Sequence, residues 1–78
     1  MKTMTCQQLG GPCDFPHFGM TADEVIKAQD RHLEEMVAKD DTMHESAAQA
    51  MKGRWKNPFK GIGWYGQAKR DFAGLPED

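Results

Sequence analysis

Two cysteines, Cys6 and Cys13, bracket a Gly10-Gly11-Pro12 turn in a chain of 78 residues, and this pairing limits the fold more than any other feature. A chain this short buries only about 60–65% of the surface that its unfolded form exposes. Its apolar core alone gives a few kcal/mol, and domains of this size often add a disulfide, a metal or a partner as a staple. The two cysteines and three histidines are the residues that could supply one.

The rest of the pattern reads as one small α+β domain spanning residues 1–78. Lys2-Thr-Met-Thr-Cys6 is rich in β-favouring residues, and Gly10-Gly11-Pro12 signals a turn. Residues 13–19 alternate imperfectly, which predicts a β-hairpin over 2–19, with Pro16 confined to an edge or a bulge because it cannot donate a ladder hydrogen bond. Thr21-Ala-Asp-Glu24 is a capping box. After it, Ala22, Val25, Ile26, Leu33, Met36 and Val37 form a helical stripe in which Gln29 is the gap. That predicts a helix over about 22–39, broken by Asp40-Asp41. Thr42-Met-His-Glu45 reads as a second capping box, opening a helix over about 43–56. Met43, Ala47, Met51 and Trp55 recur along it, and Asn57 before Pro58 stops it. Trp64, Ala68 and Phe72 predict a third helix over about 62–73, closed by Gly74-Leu75-Pro76. The expected architecture is an N-terminal hairpin packed on a helix, followed by one or two further helices.

This layout brings the chemistry-bearing residues together. Both cysteines lie at the turn end of the hairpin. From Cys13 the strand runs about 23 Å away at about 3.3 Å per residue. The first helix then returns about 16 Å at about 1.5 Å per residue before it reaches His32. Cys6, Cys13 and His32 therefore converge, in the manner of small zinc sites where a hairpin gives thiolates and a helix gives imidazole. The fourth ligand is expected to be His44, at the start of the second helix. His17 is less suited, because it stands about 13 Å from Cys13 in an extended strand. Asp14 or water could also fill the fourth position. Mixed thiolate and imidazole donors favour zinc. Each residue also has an ordinary structural role open to it. The cysteines could be small buried hydrophobes, and His32 a core histidine satisfied by a carbonyl. The cysteines could also pair, but a disulfide closing so short a loop adds roughly 2.5 kcal/mol, against roughly 10–16 kcal/mol for structural zinc in peptides.

Lys2-Thr-Met-Thr-Cys6, Leu9-Gly-Gly-Pro-Cys13-Asp14 and Thr21-Ala-Asp-Glu24-Val25 together resemble a bacterial family of unknown function described as predicted small metal-binding proteins. The tail, Lys69-Arg-Asp-Phe-Ala-Gly-Leu-Pro-Glu-Asp78, looks like that of one of its subgroups. The resemblance implies that Cys6 and Cys13 are the family's paired cysteines and that His32 is its helix histidine. Many relatives carry a second histidine about five residues further on, where this chain has Val37.

Other functional classes find less support. The net charge is −2, which exerts no strong overall pull on nucleic acid or membrane. The charge is split, however. Residues 21–50 carry eight acids against Lys27, Arg31 and Lys39, whereas residues 51–70 carry Lys52, Arg54, Lys56, Lys60, Lys69 and Arg70 with no acid. Trp55, Phe59, Trp64, Tyr65 and Phe72 are interleaved with these bases, an arrangement that could stack on nucleic acid. Their helical spacing instead predicts that they furnish core. A protein-interaction module using this basic, aromatic half, with a protein partner or a second copy, is the alternative to metal binding. No nucleophile elbow, phosphate loop or H-E-x-x-H motif occurs, so no enzyme is expected. The start of the chain has no apolar run of a secretory leader and no stretch suits a bilayer span. A cytoplasmic location is therefore expected, where free thiols or metal ligands are commoner than disulfides.

Overall fold

A computed structural model describes the backbone of all 78 residues and every side chain except those of Pro58 and Lys60. The chain forms an antiparallel hairpin of β1 (Lys2–Thr5) and β2 (Pro16–Gly19), followed by the helices α1 (Ala22–Ala38), α2 (Glu45–Lys56) and α3 (Pro58–Ala73). This is the expected α+β architecture, with the third helix present.

The strands pair Lys2 with Gly19, Thr3 with Phe18, Met4 with His17 and Thr5 with Pro16. The ladder runs on through Cys6 N–H to the Phe15 carbonyl at 2.9 Å. Cys6–Phe15 is thus a hydrogen-bonded pair, and the alternation of the ladder puts Pro16 at a non-bonded position where no N–H is needed. Met4 and His17 face inward and are buried, whereas Phe18 faces out.

The connection between the strands is not a bare turn. Thr5 N–H donates to Gln8 Oε1 (2.7 Å) and Gln8 N–H to Thr5 Oγ1 (3.2 Å), the reciprocal exchange of a capping box. It opens a 3₁₀ turn over Gln7–Leu9. Gly10 follows with φ of 97°, a left-handed conformation that glycine adopts without cost. The second strand therefore begins at Pro16, three residues later than expected from Cys13, because residues 13–15 serve the loop.

Thr21 caps α1 through its side chain, which accepts from Glu24 N–H at 3.3 Å, as the capping box predicts. The helix ends in a Schellman motif. Asp41 N–H bonds to the Met36 carbonyl and Asp40 N–H to that of Val37, both at 3.0 Å. Asp40 takes the left-handed position at φ 61°. The second helix begins at Glu45, two residues after the expected start. Asp41, not Thr42, organises its approach, its Oδ1 accepting from Met43 N–H at 2.9 Å. The third helix begins at Pro58, four residues early, since a proline is well tolerated in the first turn.

Two apolar clusters hold these elements. Met4, Leu9, Ala22, Val25, Ile26, Ala68 and Phe72 join the hairpin, α1 and α3, with Trp64 and Tyr65 packed at the edge. Cys6, Leu33, Ala48 and Met51 join the hairpin loop, α1 and α2. Lys2 Nζ reaches the last carbonyls of α3, Phe72 O at 3.1 Å and Ala73 O at 3.2 Å, and Arg54 lies 3.8 Å over the Trp64 ring, tying α2 to α3. The expectation that all five aromatics furnish core fails for Trp55 and Phe59, which are 76% and 87% exposed. Intervals of four residues drift about 40° per step around a helix of 3.6 residues per turn. The face that buries Met51 has therefore turned outward by Trp55, and Phe59 stands at the α2–α3 corner.

Candidate metal centre

The short loop between the strands sets both thiols. The Cys6 carbonyl accepts from Leu9 N–H (3.1 Å) and Gly11 N–H (2.8 Å), and Gln7 N–H donates to the Cys13 carbonyl (2.8 Å). These bonds fold the loop so that both side chains turn toward α1. Gly11 is required here, since a Cβ at this position would overlap Cys6 Sγ and stand 2.9 Å from Gln29 Nε2. Both cysteines are free thiols, so a disulfide between them is not formed.

Against this loop α1 presents His32 and the end of the α1–α2 connection presents His44. Cys13 Sγ lies 3.4 Å from His32 Nε2 and 3.3 Å from His44 Nε2. The ligand atoms of Cys6, Cys13, His32 and His44 all fall within 4.8 Å of one another. In a tetrahedral shell with Zn–S of about 2.3 Å and Zn–N of about 2.0 Å, sulfur and nitrogen ligands stand about 3.5 Å apart. The two distances from Cys13, 3.4 and 3.3 Å, come close to that edge. Cys6, His32 and His44 are buried, and Cys13 is partly so. Phe15 covers the outer side, its ring stacked on His32 at 4.6 Å between centroids and 14° between planes.

Neither Asp14 nor His17, the further candidates for the fourth position, belongs to this group. Asp14 is exposed. His17 is buried beside His32, ring centroids 5.5 Å apart, but its Nε2 donates to Gln29 Oε1 at 2.7 Å.

That bond leads to a residue that helical periodicity marks only as a gap. Gln29, the break in the α1 stripe, is fully buried. Its Nε2 donates to Cys6 Sγ at 3.2 Å and toward the Cys6 carbonyl at 3.5 Å, so its amide supports one thiol while His17 fixes its orientation. A polar residue in an otherwise apolar stripe is the signal in the sequence that points to such a role. Asp41 plays a similar part for His44. Its Oδ2 stands 3.2 Å from His44 Nδ1, a buried nitrogen with no other polar partner. A carboxylate behind the distal nitrogen of an imidazole is the usual outer support of a metal-binding histidine.

Protonation suits the same reading. Burial, with smaller contributions from His44 and His17, holds His32 below its ordinary 6.5, so its imidazole is neutral near pH 7 and can act as a ligand. Burial pushes the Cys13 thiol above its ordinary 9.0; a backbone hydrogen bond at Phe15 opposes this and the neighbouring Cys6 adds to it. Without a cation Cys13 is thus protonated, and a bound metal ion would displace that proton. No helix among the described residues is long and apolar enough to cross a membrane. Comparison with protein-family models, with curated proteins and with solved structures finds no match to this chain.

Proposed function

We propose that this chain binds one zinc ion through Cys6, Cys13, His32 and His44 and performs no catalysis. The observation that carries the reading is the convergence of two thiols and two imidazole nitrogens within 4.8 Å. Gln29 behind Cys6 and Asp41 behind His44 provide the outer support that metal ligands require. Two thiolates would neutralise a divalent cation in a largely buried setting, where unbalanced charge is costly. Four protein donors leave no coordination position for water or substrate, the pattern of structural sites, whereas catalytic zinc keeps one position open. The resemblance to predicted small metal-binding proteins through Cys6, Cys13 and His32 agrees with this reading.

Native mass spectrometry of untagged protein purified without chelator tests it. The expected mass is that of the chain plus one zinc, lost with chelator and regained when zinc is added back. A metal-free mass that gains nothing from added zinc refutes the proposal.

A further inference from the structure

The two thiols of the candidate centre have different surroundings. Cys6 is fully buried, with Gln29 Nε2 3.2 Å from its sulfur. Cys13 is partly exposed, and its sulfur stands beside His32 Nε2 and His44 Nε2 at 3.4 and 3.3 Å. Both sulfurs belong to one loop, tied by the Cys6 N–H to the Phe15 carbonyl and the Gln7 N–H to the Cys13 carbonyl. The two histidines come instead from α1 and from the entry to α2. An accessible sulfur next to a second, sheltered one is the arrangement in which a first oxidation product is resolved as a disulfide. The sulfurs lie within 4.8 Å of each other, and a disulfide holds them about 2.05 Å apart. The remaining approach falls inside the loop, where Gly10 and Gly11 supply torsional freedom.

Charge supplies the consequence. Two thiolates balance a divalent cation, whereas a disulfide is neutral, and the thiolate is the form of cysteine that binds metal. Two neutral imidazoles would then face an uncompensated double charge in a largely buried setting, which is costly. Forming the disulfide and keeping the cation are therefore opposed.

We propose that this site is a redox-sensitive switch, in which a peroxide joins Cys6 to Cys13 and expels the zinc; the proposal rests on the zinc reading above. The Cys13 thiolate attacks one oxygen of the peroxide, forming an S–O bond and breaking the O–O bond. Cys13 becomes a sulfenic acid, and the released hydroxide takes a proton from solvent. The Cys6 thiolate then attacks the Cys13 sulfur, forming the S–S bond and displacing a second hydroxide, which is protonated likewise. For hydrogen peroxide, two thiolates, one peroxide and two protons give one disulfide and two waters. The two electrons pass from the sulfurs to the peroxide oxygens.

The test adds hydrogen peroxide to the full chain once native mass spectrometry has shown its zinc. A chromophoric indicator reads released zinc, and denaturing mass spectrometry reads the chain. One zinc should be lost for each chain that becomes two hydrogens lighter, with the chain still at 8.8 kDa and Cys6 linked to Cys13 in peptide maps. Dithiothreitol with added zinc should restore the starting state. Dimedone, which traps sulfenic acid, should label Cys13 in Cys6→Ser, and should label Cys6 in Cys13→Ser at least about tenfold more slowly, because oxidation follows exposure. This labelling needs no bound zinc, circular dichroism checks that the variants keep their helices, and the wild-type result decides alone where one does not. Faster labelling of Cys6 overturns the proposed order of attack. Zinc retained with both thiols reduced, in peroxide that fully oxidises free cysteine, overturns the switch and leaves the zinc reading standing. A chain that never holds zinc fails at the first step and removes both. Zinc loss accompanied by sulfinic acid on Cys13, or by a disulfide between two chains, also overturns the proposal.

Discussion

Gln29 shows how one side chain can interrupt an apolar pattern for a chemical reason. It is fully buried and spends both ends of its amide, one on His17 and one on Cys6. Leucine would fit the stripe and remove the donor to the thiolate. Gln29→Leu should therefore fold yet bind zinc about 10–100-fold more weakly, the usual cost of losing an outer-shell partner. Competition with a chromophoric chelator measures this, and affinity equal to wild type would mean that the amide serves packing alone. The pH dependence of the metal-free protein also belongs to single residues. His32 has a folded pKa below 6.5, so its contribution to stability is present above that value and is lost as pH falls through the depressed one. Cys13 has a folded pKa above 9.0, so its contribution is present below 9.0 and is lost as pH rises through the raised one. Melting of the metal-free protein should accordingly show a plateau between those limits and fall on both sides. A melting temperature that rises on going from pH 7 to pH 5 would contradict the His32 assignment.

At the level of elements, the four candidate ligands clasp the hairpin loop, α1 and the entry to α2, whereas α3 is held by Met4, Ile26, Ala68 and Phe72 in a separate cluster. Chelation should therefore speed amide exchange in residues 6–13 and in the first turn of α2 by on the order of tenfold or more, with smaller effects around Ala68 and Phe72. Hydrogen exchange read by mass spectrometry resolves the two regions, and equal loss of protection in both would mean that the clusters melt as one. Much of this layout is legible in the sequence. The Thr21–Glu24 capping box and the stripe from Val25 to Val37 locate α1 closely. The path lengths of the strand and helix then bring His32 back to the cysteines. Less legible are features set by competition between neighbours. Thr5-Cys-Gln-Gln8 has the spacing of a capping box but sits after a strand, and it converts an expected simple turn into a 3₁₀ turn. Asp41 accepts from the Met43 N–H, the helix starts past Thr42 at Glu45, and the His44 side chain is turned to Cys13. Trp55 and Phe59 carry helical spacing, but spacing alone does not say which face has a neighbour.

The whole molecule is a thin body, 34 × 27 × 15 Å along its principal axes, with two small clusters in place of one deep core. Such a shape leans on its staple. A ligand at about 1,000 times its dissociation constant adds about 4 kcal/mol, and each kcal/mol is worth about 4–8 °C in a domain of this size. Chelator should thus lower the melting temperature of the zinc-loaded protein by about 15–30 °C in reducing buffer. Cys13→Ser should start near the lower value and respond little to chelator. A wild-type melt unchanged by chelator would reduce the cysteines to packing residues. The thin body also has a temporal side. A chain leaves the ribosome from its N-terminus, and the four ligands all lie between Cys6 and His44. The hairpin, by contrast, is joined at Lys2 to Phe72 and Ala73 near the far end of the sequence. During synthesis the four candidate ligands can meet once residues 6–44 have emerged, while β1 still waits for the helix that will cover it.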